Sequence, residues 1–580
     1  MERNLRQLAS NVFDLLIIGG GIYGVSVARD AALRGLHVAL VEKGDFGHAT
    51  SFNSLKIIHG GFRYLQHLDV PRMRRSIFER SALMRIAPHL THPLPFLMPT
   101  YGQGFQGKWI MRMALALNDL IGFDRNWSVD ESKHLPNGRV ISRAECLQLV
   151  PGLSEKGLTG GAIWYDCQLS NSERFIMAVL KGATSAGADV ANYVEVTGFL
   201  RQGDDICGIK AVDRLSEDQV DIRSRFVVNA SGPWFHEILG LPNGGFRSRS
   251  LPLSKAMNLV VNSPLVSKFA VGIPERKHFR DDQAMFHKGS RLFFMVPWRQ
   301  YTFIGTTHTF YEGKVGEFRA TEEDVEVFLA EINTAYPPAH LTMEDICFVY
   351  AGLLPRNEMN DKNPNVSLLK RPIIVDHQKD TGVRGLISIV GVKLTEARYV
   401  AEKAVDLVCQ KLGQGRPPSR TAVTPVDGGE IDCLRMLLDP EATQTHFGLS
   451  GETIRHLGQT YGSSLDRVLK YLEEDETLGQ PIASESPVIK AEVTHAVREE
   501  MAVTLSDVVR RRTELGTFEC PGESSLETCA EIMAKELDWG EHRRQAELAS
   551  LRSSYLAGFP VDRDVRRELE GVRTVGVGSV

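Results

Sequence analysis

Between Phe13 and Glu42 the chain passes through an apolar run, three glycines at GxGxxG spacing, an alanine-rich amphipathic stretch, a second apolar run and an acid, FDLLIIGGGIYGVSVARDAALRGLHVALVE. That order predicts strand, glycine turn, helix, strand and carboxylate, and each part has a task in gripping a dinucleotide. Gly19 permits the tight turn, Gly21 lets the backbone approach a pyrophosphate, and Gly24 lets the helix lie close on the strand. The helix N-terminus presents unpaired N–H groups and a partial positive charge to the phosphates. Glu42, eighteen residues beyond Gly24, is placed to accept hydrogen bonds from a ribose 2′-hydroxyl and to disfavour a 2′-phosphate.

A chain of 580 residues is too long for one core, so two or three domains are expected. The net charge is −5 and no dense basic tract is interleaved with aromatics, which argues against a nucleic-acid partner. The one locally basic segment, RYLQHLDVPRMRRSIFER with Arg72, Arg74 and Arg75, reads as a solvated helix face. Eight cysteines lie scattered without CxxC or paired Cys/His spacing, which argues against zinc or iron–sulfur sites and suits a reducing compartment. MERNLRQLASNVFD lacks the apolar core of a signal peptide, and no apolar run reaches the roughly 18 residues of a membrane span. The expected location is therefore cytoplasmic, with peripheral contact at the inner face of the cytoplasmic membrane left open.

Several later stretches read as returns to the nucleotide fold. DVANYVEV predicts a short strand from Asp189 to Val196, followed by a strand near Ile206 to Val212, and FVVNASGPW a strand entering a small-residue turn that closes over a cofactor. RLFFMVPW and YTFIGTT predict an antiparallel hairpin, hence a second sheet. GLISIVGVKLTEAR predicts strand, glycine turn and a helix through Ala401 to Leu412, whose N-terminus favours negative charge. After Gly415, RPPSRTAVTPVDGG reads as a linker. Beyond it SSLDRVLKYLEE, VIKAEVTHAVREE, LSDVVRRR and LETCAEIMAKEL carry helical stripes, read as the core of a small helical domain, and the tail from Val572 is expected to be disordered.

Taken together, GGGIYGVSVARDAALRG, ATSFNSLKIIHGGFRYL, NASGPW, VPW with IGTTH, GVKLT and SDVVRRRTELG resemble the landmarks of the FAD-dependent, aerobic-type glycerol-3-phosphate dehydrogenases, in order, across roughly residues 13 to 550. IIHGG with the Arg-Tyr that follows is the most specific of these, since no structural necessity for it is evident in the sequence. The resemblance implies an α/β flavoprotein fold of the two-dinucleotide-binding-domain type, with an antiparallel-sheet substrate domain and a C-terminal helical domain. The FAD-binding domain would comprise residues 1–90, 156–235 and 371–415, the substrate domain 91–155 and 236–370, the linker 416–430 and the helical domain 431–570.

On the same resemblance FAD would lie along Gly19, Gly21 and Gly24 with its ribose on Glu42. Thr50, Ser51, Ser54 and Lys56 would face the flavin, Ala230 and Gly232 would close over the cofactor, and Gly391, Lys393, Leu394 and Thr395 would cap the ring. His59 would be the general base, suited by an ordinary pKa of about 6.5. Arg63 and Tyr64 would contact the substrate's anionic end, with Arg371 as a second anion ligand, and Lys393 would favour the anionic reduced flavin. The implied partners are an anionic small-molecule substrate, a quinone acceptor and a second copy in a homodimer.

The chain departs from the family pattern chiefly at the substrate end. Leu354 stands where an arginine is expected, with Arg356 two residues on; Asn258 replaces a histidine, His308 an aspartate and Leu55 a serine. The readings that follow are oxidation of sn-glycerol 3-phosphate to dihydroxyacetone phosphate, oxidation of another polyol phosphate, hydroxy acid or amine, or a flavoprotein whose activity is vestigial.

Overall fold

Leu15 to Ile18 are consecutive apolar residues with no polar face to offer solvent, and such a run belongs inside a sheet covered on both sides. The computed structural model, which describes residues 1–102, 107–244, 251–274, 292–357, 366–413, 415, 417–434, 448–484 and 486–558, places the strand Val12–Ile18 in that position. It pairs in parallel with Val38–Val41 on one side and Gln219–Asn229 on the other. Leu386–Val390 extends the row beyond Gln219–Asn229, and Asp189–Ala191 extends it beyond Val38–Val41. Three distant parts of the chain thus build one sheet. The helix Ile22–Leu33 covers one face, packed against Ser172–Ser185 and Ala397–Leu412.

The expected strand across Asp189 to Val196 is broken in two. Tyr193 adopts a positive φ of 55°, and the amide of Asn192 donates to Met501 O at 3.0 Å and Asp45 Oδ1 at 3.2 Å. Asp189–Ala191 stays in the parallel row, while Val194–Gln202 starts an antiparallel meander with Asp205–Asp213 that joins the first half of Gln219–Asn229.

The second sheet holds nine strands among the described residues, in the order Ile346–Pro355, Leu253–Val261, Tyr301–Tyr311, Leu292–Trp298, Ala270–Pro274, Thr91–Tyr101, Leu158–Leu169 and Ile57–Ile58, with Arg139–Ser142 also paired to Leu158–Leu169. The hairpin forms as expected, with Arg299 at positive φ in its turn. One boundary is corrected: Leu158–Leu169 and Ile57–Ile58, both within stretches assigned to the cofactor domain, pair with each other in the second sheet.

The proline-rich segment after Gly415 is not a free linker where it is described. Arg29 donates to the carbonyls of Thr424 and Pro425 at 2.6 and 2.9 Å, and Thr421 and Val426 are buried. Prolines leave such carbonyls without backbone donors nearby, and a guanidinium supplies them. Beyond it Gly451–Tyr461, Asp466–Glu474, Lys490–Glu500, Glu523–Leu537 and Glu541–Gly558 form the helical part. LSDVVRRR folds as a turn of α-helix, Leu505–Asp507, continuing into a wider helical turn, Val508–Arg512. Two of its arginines, Arg511 and Arg512, reach Asp45 beside the cofactor sheet, while Arg510 lies over the Tyr555 ring at 4.1 Å. The expected disorder from Val572 lies outside the described residues.

Candidate functional site

A cavity of about 1350 Å³ opens between the two sheets. At one end the glycine turn leaves no room for side chains. Gly19 has φ +106°, and a Cβ there would lie 2.8 Å from Ala230 O; a Cβ on Gly24 would lie 1.8 Å from Gly19 O. Gly21 is the N-cap of Ile22–Leu33 and supplies no side-chain cap, so the first-turn N–H groups face the cavity, except that Ile22 N–H donates to Ser51 Oγ at 3.0 Å. Glu42 lines the cavity and also organises the turn, accepting from the Gly20 and Gly44 N–H groups at 2.7 and 2.9 Å. Ala230 and Gly232 stand opposite in the NASGPW turn, beside Trp234, whose ring carries the Lys43 ammonium at 3.7 Å.

The flavin-facing segment runs along the cavity wall. Thr50 Oγ1 donates to Leu353 O at 3.0 Å, and Ser54 Oγ accepts from Lys56 N–H at 3.3 Å. Lys56 requires a correction: its ammonium bonds Glu173 at 2.8 and 2.9 Å and Ser172 at 3.0 Å, neither of which lines the cavity. A fully buried ammonium is costly without a counter-charge, so its side chain is committed and only its backbone is left for a cofactor. On the far side Gly391 meets Tyr23, where a Cβ would fall 2.0 Å from the ring. Tyr23 Oη donates to Lys393 O at 2.8 Å and accepts from Lys393 N–H at 3.2 Å, tying the Gly391 to Thr395 turn to the glycine helix.

His59, Tyr64, Lys393 and Arg72 line the same cavity. The glycines after His59 have a structural necessity that the sequence hides. Gly60 N–H donates to Asp166 Oδ1, which Arg80 also binds, and a Cβ on Gly60 would fall 2.4 Å from Arg80 Nη1. Gly61 has φ +81°, with its Cβ position 2.5 Å from the Tyr64 ring. His59 is held by its N–H on Thr395 Oγ1 at 3.4 Å, with its ring edge-on to Tyr64 at 6.0 Å. Burial first, then the charges of Lys393, Arg72 and Arg80, push its pKa down to about 3. Lys393 Nζ donates to Tyr64 Oη, and burial, then Arg72, lower its pKa to about 7. Arg63 lies exposed at the rim.

Arg72 is the residue that the solvated-face reading missed. It is 6% exposed and lines the cavity, its guanidinium 4.2 Å from the Tyr64 ring centroid. Arg74 instead pairs with Asp124 at 2.6 Å, and Arg75 packs over Tyr399 at 4.1 Å. The available signal was helical phase: Asp69 and Pro71 mark a helix start, and Arg72 shares the i, i+4 stripe of Ser76 and Arg80.

Asn258 is buried in the wall, accepting from Thr306 Oγ1 at 2.7 Å and donating to Asn53 O at 3.3 Å. Leu55, His308 and Leu354 also line the cavity. Arg371 does not: its side chain is 71% exposed and paired with Asp69 at 3.0 Å, which corrects its assignment as a direct anion ligand. Arg356 is likewise outside, its Nε donating to Leu253 O and its Nη1 to Asn357 O, both at 3.1 Å.

Residues 14–395 match the family of FAD-dependent oxidoreductases, and residues 419–544 match the C-terminal domain of alpha-glycerophosphate oxidase. A glycerol-3-phosphate dehydrogenase of Synechocystis sp. is 34% identical over 93% of this chain and 96% of its own. An alpha-glycerophosphate oxidase of Streptococcus pyogenes is 29% identical over 94% and 95%. The solved glycerol-3-phosphate dehydrogenase of Bacillus halodurans, complexed with FAD, superposes with a TM-score of 0.72 at 27% identity, covering 96% of this chain and 98% of that one. The glycine cradle, the uncapped helix end and Glu42 fit a dinucleotide cofactor on geometry alone, and with these matches the chain belongs to the FAD-dependent glycerol-3-phosphate dehydrogenase family.

Proposed function

We propose that this protein oxidises sn-glycerol 3-phosphate to dihydroxyacetone phosphate. The observation that carries the reading is the His59, Tyr64, Lys393 and Arg72 cluster, cationic and buried, in the wall of the cavity. The names of the relatives support the same substrate. Glycine turn, Glu42, Ser51 and the Gly391 to Thr395 turn would hold FAD, which when bound supplies the acceptor of two electrons. His59, neutral across the physiological range, is available to take the proton of the substrate's C2 hydroxyl at an imidazole nitrogen. Its basicity is suppressed by burial and the Lys393, Arg72 and Arg80 charges, so a phosphate arriving beside the first two relieves part of that repulsion and raises it. The substrate's own charge thus readies the base, and an uncharged polyol lacks this effect.

The electrons would pass on to a quinone. The helix Lys108–Ile121 borders the cavity through Met111, Met113 and Ala114 and turns Trp109 (76% exposed) and Leu120 outward, with Phe123 and Trp127 just beyond. Indole and aliphatic groups beside Lys108 and Arg112 suit the boundary of an anionic bilayer, where a lipophilic acceptor would be met. Among the described residues no helix is long and apolar enough to cross a membrane. Sedimentation with anionic vesicles, lost in Trp109→Ser/Leu120→Ser, tests the contact; formation of a dimer through this face without vesicle binding would refute it.

Anaerobic bleaching of the flavin by glycerol 3-phosphate, with glycerol, other polyol phosphates, hydroxy acids and amines as comparisons, tests the substrate. Leu354 and Asn258 in the cavity wall favour a second reading, another polyol phosphate, and bleaching by such a compound alone would establish it.

A further inference from the structure

The loop that walls the glycine turn is held from behind by the far end of the chain. After the strand Val38–Val41, residues Glu42 to His48 run along the turn. Gly47 N–H donates to Gly20 O at 3.0 Å, and a Cβ on Gly20 would fall 2.7 Å from the Phe46 ring. Glu42, Lys43, Gly47 and His48 line the cavity, whereas Asp45 is buried outside it. Four hydrogen bonds converge on its carboxylate there. The Arg512 fork grips both oxygens at 2.7 Å, Arg511 Nε donates to Oδ2 at 2.5 Å, and the Asn192 amide donates to Oδ1 at 3.2 Å. Neighbouring side chains on an α-helix point about 100° apart. The widened turn Val508–Arg512, closed by Thr513 N–H on Val508 O at 2.9 Å, narrows that angle and brings both arginines onto one carboxylate.

The hold extends to Glu42. Asp507 accepts from Arg511 at 2.7 Å and from Tyr193 Oη at 2.8 Å. Tyr193 N–H donates to Gly44 O at 2.9 Å, and Val194 N–H to Glu42 O at 2.8 Å. Gly44 N–H in turn orients the Glu42 carboxylate. The same stretch of chain also reaches the opposite wall of the cavity. Glu514 pairs with Arg299 in the hairpin of the second sheet at 2.6 Å, and Thr517 O accepts from Tyr350 Oη at 2.6 Å. Residues 500–517 thus bridge the two sheets between which the cavity opens. A carboxylate as deep as Asp45 does not keep its place without its counter-charges, so undocking of this stretch frees the loop.

We propose that residues 500–517 are a latch on the cofactor, with Asp45 as its catch, a positioning residue that touches neither FAD nor substrate. Docked, the latch keeps the Glu42 to His48 loop on the glycine turn and the two sheets closed, and FAD leaves only when it opens. Such coupling is reciprocal, so bound FAD also secures the latch. The inference rests on FAD lying along the glycine turn and is independent of which substrate is oxidised.

Dissociation of FAD from the loaded protein, followed by the fluorescence of the flavin released on dilution, tests it. Asp45→Asn, which keeps the shape and removes the charge, is expected to speed dissociation roughly 10- to 100-fold. Arg512→Lys, which keeps the charge but not the fork, is expected to speed it several-fold. Glu492→Gln is the control: that carboxylate is as deeply buried but holds His456, Tyr461 and the Ile489 N–H within the helical part, so its loss is expected to lower the melt and leave dissociation unchanged. Dissociation within twofold of the parent in both latch variants, or an equal acceleration in Glu492→Gln, overturns the proposal. If the latch variants fail to fold, the parent decides: amide exchange across residues 500–513 is expected to quicken when FAD is stripped, and unchanged exchange overturns the latch. Faster loss of FAD from Asp45→Asn, in a protein whose parent glycerol 3-phosphate does not reduce, would refute the substrate and leave the latch standing.

Discussion

Asp45 is fully buried and meets two guanidiniums, Arg511 at 2.5 Å and Arg512 at 2.7 Å, whereas Arg72, nearly as deep, meets no carboxylate within hydrogen-bonding distance. The Asp45 cluster is continued by Asp507 on Arg511, and the same pattern recurs where Arg174 pairs with Glu500 and Lys56 with Glu173. In each of these clusters every charge is answered, and the Asp45 and Glu500 pairs join the C-terminal helices to the cofactor sheet. The Arg72 and Lys393 cluster has an excess of positive charge and faces open space. Matched charges fasten parts of the chain together; an unmatched one leaves interaction energy for a ligand.

That contrast can be broken from either side. His59→Ala is expected to lower flavin reduction by glycerol 3-phosphate about 10²- to 10⁴-fold while FAD content and the thermal melt stay near the parent's; near-normal turnover would remove His59 from the base role. Asp45→Ala should do the reverse, costing about 3–5 kcal/mol of stability because two buried guanidiniums lose their counter-charge. An unchanged denaturant midpoint in that variant would mean that the cluster does not fasten the helices.

Acid should distinguish the two plans more gently. His59, His89 and His92 are all pushed down to about 3, by burial first and then by neighbouring cations. The unfolded chain binds protons at these positions below about pH 6.5 while the folded chain resists them, so their contribution is whole above 6.5 and is lost as pH falls toward 3. Urea midpoints between pH 7 and 4.5 should fall accordingly, and His89→Gln should flatten the slope. Binding of inorganic sulfate, a stand-in for the substrate's phosphate, should weaken as pH rises through about 7, where Lys393 loses its proton, and Lys393→Met should abolish that dependence. The smallest effect is expected for Leu354→Arg, a few-fold gain in glycerol 3-phosphate affinity if its guanidinium reaches the phosphate, read from the KM.

The cofactor end was legible because its constraints are local. Gly19, Gly21, Gly24 and Glu42 lie within one strand–turn–helix–strand unit, and the contacts that forbid a side chain at Gly24 come from Gly19 itself. The substrate end is assembled from segments that only the folded chain brings together. Nothing in VPRMRRS tells Arg72 from Arg74 and Arg75 until the helix has a buried side, and nothing beside Lys56 announces Glu173. Arg371 was misplaced for the same reason, since Asp69, its partner, is distant in sequence.

By itself the sequence determined the central parallel sheet, the dinucleotide turn, the antiparallel hairpin and the helical C-terminal part, because hydrophobic period and glycine spacing act over a few residues. Tertiary structure alone decided which charges are spent and which are spare. A side chain's counter-ion comes from whatever segment packs against it, and burial, which makes the pairing matter, exists only after the sheets and helices have closed around the cavity.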